Sequence, residues 1–127
     1  MDKLEYIPGD LVYIHGSLRI VSNCDGYYAT YYDENERLQE VNVNVIEGIP
    51  ITPEILEKNG WKSINGKYAL KIKNANYVVL EFTEYGIYTY INENTMLFTI
   101  KYIHELQHLL YALHIDQYCV KLTFNRL

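Results

Sequence analysis

IKYIHELQHLLYAL, residues Ile100 to Leu113, decides how this chain is read. Ile103, Leu106, Leu110 and Leu113 recur at three- and four-residue intervals, the period of one buried face of an α-helix. The segments before it alternate apolar and polar residues with period two, as half-buried strands do. That switch predicts an α+β fold in which a helix over about 100–113 lies across a β-meander.

The same helix carries H-E-x-x-H at His104, Glu105 and His108. Residues four apart on a helix stack, so two imidazoles can grip one zinc while the glutamate polarises its water. In that reading the protein is a minimal zinc metallohydrolase, with His104 and His108 as ligands and Glu105 as general base. His114 follows at a spacing similar to the third histidine of metzincins. On a straight helix, however, it lies about 15 Å beyond His104 and roughly 80° around the axis. Tyr111 stands where those enzymes break the helix with glycine, and Met1 and Met96 both precede the motif. A shuffled chain of this composition produces the pattern with a chance of roughly 1%. The expectation is therefore an unbroken amphipathic helix with no metal and no cofactor. Its His104, His108 and Tyr111 should face away from the apolar stripe.

Working outward, residues 67–73, 77–82 and 86–91 read as strands, separated by turns at 74–76 and 84–86. Residues 118–124 read as a last strand. Thr52-Pro53-Glu54 opens a short helix with an N-cap, a proline in the first turn and an acid at the positive dipole end. Asn59-Gly60 closes it. Residues 52–127 thus form helix, meander, helix and strand. In residues 1–48, short strands at 11–15, 18–22, 27–32 and 38–46 are joined by turns such as Asn23-Cys24-Asp25-Gly26. Opening on Gly9-Asp10-Leu11-Val12-Tyr13, this antiparallel unit resembles a small SH3-like barrel.

Composition bounds the function. A chain of 127 residues, 49% of them hydrophobic, can bury one sizeable core or two small ones. A net charge of −5 argues against nucleic-acid binding, which needs a basic face to displace counterions. No apolar run approaches membrane length and the first residues lack a signal peptide's pattern, so the expected location is cytoplasmic, with no membrane partner. Cys24 and Cys119 are isolated and read as free thiols.

One strand stands out. Lys67, Lys71 and Lys73 share a face with Ala69, while Tyr68, Leu70 and Ile72 point the other way. One reading is an edge strand that lysines protect from mispairing. The other is a patch that meets phosphates, with Tyr77 or Tyr88 and Tyr90 on neighbouring strands stacking on a ring. The tyrosines at 27, 28, 31 and 32 alternate likewise. One pair, Tyr28 with Tyr32 or Tyr27 with Tyr31, should pack inside and leave the other exposed.

EGIPITPEILEKNGW (Glu47 to Trp61), the 100–113 helix and the Gly9-Asp10-Leu11-Val12 opening together resemble a family of small uncharacterised proteins of phages and mobile elements from gut anaerobes. The resemblance covers most of the chain. It implies that the second histidine is replaceable by asparagine and that a short turn and strand follow the helix, both of which count against zinc. It implies no catalytic residues. Phage accessory proteins of this size often act by binding. The expected function is accordingly a non-catalytic, homo-oligomeric binding protein that sequesters a small anionic, nucleotide-type signal or blocks a host protein.

Overall fold

A computed structural model describes residues 5–72, 76–92 and 94–113. The fold is α+β, dominated by antiparallel sheets, with two α-helices among the described residues. The chain divides into two compact units: residues up to Pro50 together with Tyr102–His104, and Ile51–Lys101 together with the residues from Glu105 onward.

The first unit holds two three-stranded sheets. β1 (Leu11–Ile14) lies between β2 (Ser17–Ile20) and β6 (Ile46–Glu47), and β4 (Tyr28–Tyr32) lies between β3 (Asn23–Cys24) and β5 (Leu38–Asn42). His15 and Gly16 both take positive φ, 51° and 79°, as the tight turn joining β1 to β2 requires. The Asp25 carboxylate accepts the Tyr27 and Tyr28 N–H groups, each at 2.8 Å, and closes the turn into β4. Val12, Ile14, Val21, Ala29, Tyr31 and Ile46 form the core with Tyr6.

The second unit begins at α1 (Pro53–Lys58). Thr52 caps it by accepting the Ile55 N–H at 3.3 Å, and Asn59 receives its end. Five strands follow in sequential meander order: β7 (Lys62–Ile64), β8 (Lys67–Lys71), β9 (Tyr77–Thr83), β10 (Gly86–Ile91) and β11 (Thr95–Ile100). Val78, Leu80, Ile87, Thr89 and Ile100 are buried along one side of this sheet. Pairing slips between Tyr88 and Tyr90, where two steps along β10 span three along β11, from Thr99 to Met96. The buried Thr89 hydroxyl fills that bulge, donating to the Phe98 carbonyl at 2.6 Å and accepting the Phe98 N–H at 3.1 Å.

The last described helix, α2, runs unbroken over Ile103–Ala112, later than the expected start near residue 100. Ile100 is the last residue of β11, opposite Ile87, so the preceding segment is strand rather than helix. Leu106, Leu109 and Leu110 are buried as the apolar stripe requires, and Leu113 is half-buried. The strand expected at 118–124, Cys119, His114 and Lys73 lie outside the described residues. No helix among the described residues is long and apolar enough to cross a membrane.

Candidate ligand-binding face

Alternation along β8 sends Lys67, Ala69 and Lys71 to one side of the sheet and Tyr68 and Leu70 to the other. Cross-strand register extends that division. Ala69 lies opposite Lys62 on β7 and opposite Val79 on β9, and Val79 lies opposite Tyr90 on β10. Lys71 lies opposite Tyr77, Lys67 opposite Ile64, and Glu81 opposite Tyr88. One face therefore gathers Lys62, Lys67, Lys71, Glu81 and the rings of Tyr77, Tyr88 and Tyr90. Three lysines against one carboxylate give this face a positive excess on a chain of net charge −5.

The lysines are placed around one small residue. Along a strand, same-face neighbours are about 6.6–6.8 Å apart, and directly opposed residues on adjacent strands are about 5 Å apart. Lys67 and Lys71 flank Ala69 along β8, and Lys62 faces it from β7. The methyl group of Ala69 leaves room above it, and lysine's flexible four-carbon stem lets each ammonium reach that room. A hollow of about 380 Å³ opens beside it, lined by Ile64, Lys67, Ala69, Tyr77, Val79 and Asn92. Ala69 and Val79 are its floor, only 6% and 3% exposed although they lie on the side opposite Val78 and Leu80.

Local contacts hold the walls. The Lys67 ammonium sits 5.6 Å from the Tyr90 ring centroid, and the Tyr90 hydroxyl donates to Glu81 Oε1 at 3.0 Å. That hydrogen bond to an anion keeps the Tyr90 phenol above its ordinary pKa. Asn92, at φ 55°, accepts the Tyr77 N–H on Oδ1 at 2.7 Å and donates from Nδ2 to Asn76 Oδ1 at 2.7 Å. Tyr77 is thereby fixed at the rim.

The structure brings Lys67, Lys71, Tyr88 and Tyr90 to one face. It removes the edge-strand reading of the lysine row, because β8 is paired on both sides. Lys62 was missed from the sequence. Its signal was Asn65-Gly66, a two-residue hairpin turn with φ of 51° and 80° that makes 62–64 a strand opposite 67–69.

The histidine helix is arranged differently from expectation. His104 is fully buried rather than turned away from the apolar side. The Ile103 N–H donates to the Ile49 carbonyl at 2.8 Å, and Tyr102 bridges to Pro50, which draws the start of α2 into the first unit. There the His104 ring stacks on Tyr102 at 5.8 Å and 9°, lies 4.9 Å from Tyr6, and brings Nε2 to 3.3 Å from Glu5 Oε2. A helical wheel drawn from the leucine stripe alone does not register this second packing surface. Glu105 Oε1 accepts the Lys101 N–H at 2.7 Å, tying the first turn of the helix back to the residue that follows β11. His108 is half-buried. Among the described residues no three histidine, cysteine, aspartate or glutamate side chains are grouped to hold a metal ion. His104 and Glu105 are thus each engaged in local contacts, and His114 lies outside the described residues.

Of the tyrosine cluster, Tyr31 packs inside at 8% exposure, while Tyr28 and Tyr32 are exposed. Tyr27 precedes β4 and is exposed, so it does not pair with Tyr31 as the alternation implied. Comparison with family models, with curated proteins and with solved structures returns no match.

Proposed function

We propose that this chain is a non-catalytic binding protein of the phage and mobile-element kind, whose five-stranded sheet takes a small anionic, ring-bearing ligand of nucleotide type. The observation that carries the reading is the placing of Lys62, Lys67 and Lys71 around Ala69 in the sheet register, beside a hollow with Tyr77 in its lining. Ammonium donors suit a phosphate, and the aromatic faces suit a base or similar ring. An apolar hollow with a few converging polar groups is the common form of a small-ligand site.

The protein works as a homo-oligomer in this proposal. What supports it is β11, Thr95-Met96-Leu97-Phe98-Thr99-Ile100, which has no charged residue and no partner on its outer edge among the described residues. Met96 and Phe98 there are each 50% exposed. An uncharged open edge of this kind is normally covered. The SH3-like character of the first unit belongs to the same proposal and rests on its short, turn-linked antiparallel strands.

Calorimetric titration against a nucleotide panel tests the reading. Each desolvated charged hydrogen bond contributes about 1.5–3 kcal/mol, so Lys67→Ala/Lys71→Ala should bind at least about tenfold more weakly than wild type. Equal affinities would make the lysines bystanders and overturn it.

A further inference from the structure

We infer, building on the ligand face proposed above, that the bound molecule is a ribonucleoside monophosphate: its phosphate over Ala69 among Lys62, Lys67 and Lys71, its ribose hydroxyls on Glu81. The face is polar in the electrical sense. By register three lysines flank Ala69, with the Lys67 ammonium 5.6 Å from the Tyr90 ring centroid, and Glu81 stands one row along the sheet, opposite Tyr88. A second or third phosphate directed along that row meets a like charge, which disfavours polyphosphates. A neutral group bearing hydroxyl donors meets an acceptor.

Glu81 is prepared for that role. Its Oε1 accepts the Tyr90 hydroxyl at 3.0 Å, which orients the carboxylate, and Oε2 has no hydrogen bond among the described residues. A ribose cis-diol offers two donors on adjacent carbons, and carboxylates bind ribose hydroxyls in this way in dinucleotide sites. The base then falls toward Tyr88 and Tyr90, whose rings offer stacking surfaces indifferent to which base is present. The hollow of about 380 Å³ over Ala69 and Val79 receives the phosphate end of the ligand.

The experiment titrates the full chain calorimetrically with 5′-AMP, its 2′,3′-dideoxy analogue and ATP. Wild type should prefer AMP to the dideoxy analogue by about tenfold, the worth of one hydrogen bond to a charged acceptor. ATP should bind no more tightly than AMP. In Glu81→Gln, which keeps an acceptor for the Tyr90 hydroxyl, the preference for ribose should shrink to about threefold or less. Equal binding of AMP and the dideoxy analogue by wild type would overturn the ribose assignment, and tighter binding of ATP would overturn the monophosphate assignment. The nucleotide comparison on wild type stands even where Glu81→Gln fails to fold. In either case, loss of AMP binding in Lys67→Ala/Lys71→Ala would leave the anion face standing. If that variant binds AMP as wild type does, or nothing binds AMP, both readings fall together.

Discussion

Tyr6 is buried among groups that oppose its ionisation. Burial pushes the phenol from 10.0 up to about 12, and the Glu5 carboxylate adds to this through its charge and a hydrogen bond. The native state thus favours the neutral phenol. The resulting stability is complete below pH 10.0 and is lost as pH rises through about 12. Denaturant midpoints measured between these values should fall for wild type and fall less steeply for Tyr6→Phe. Gly48 gives a second test at this scale. A Cβ there would meet Tyr102 Cδ1 at 2.6 Å, so Gly48→Ala must displace the ring that stacks on His104. Overpacking of this kind costs about 1–3 kcal/mol, readable as a shift in the urea midpoint. None of this was legible in the sequence. The burial of His104 depends on Glu5, Tyr6 and Tyr102, which no periodicity within the helix can register.

Among the elements, α1 was the most legible. Thr52, Pro53 and Asn59-Gly60 are local signals, and the Thr52 hydroxyl makes the bond that its position implies. Thr52→Ala should cost about 1 kcal/mol by denaturant titration, with the ligand face untouched. The start of α2 was misplaced because Ile100 continues an apolar period while its backbone belongs to β11. Tertiary pairing decided the boundary, not propensity. The lysine face was half legible. Alternation put Lys67 and Lys71 together, but Lys62 enters only through the hairpin register with β8. Lys71 is exposed and points away from Tyr68 and Leu70, so Lys71→Ala should leave the melting temperature within a degree or two of wild type while weakening the ligand. Leu80→Ala, at a fully buried position on the opposite side, should instead cost about 2–5 kcal/mol.

At the scale of the whole molecule, charge and assembly give the remaining expectations. The proposed anion site is a local cationic face on a chain of net charge −5, so it works against the average field. Its affinity should fall by about tenfold or more between 50 and 500 mM salt, roughly the range over which screening shortens from above 10 Å to below 5 Å. A ligand held mainly by ring stacking would show a flat dependence. For assembly, light scattering should give a mass above the 15.0 kDa of one chain. Phe98→Lys, which places a charge on the open edge of β11, should return the monomer.

The bulge at Thr89 also bears on how this chain tolerates change in length. Deleting one residue from β9 would invert every later side chain of that strand, exchanging Val78 and Leu80 for the Val79 row. Removing Leu97 or Phe98 would not, because three steps there already oppose two on β10 and the loss restores regular pairing. A single-residue deletion scan read out by soluble yield should therefore spare these two codons and reject deletions through 78–82. The slip between Tyr88 and Tyr90 would then mark where the gene can shorten without losing its reading of inside and outside.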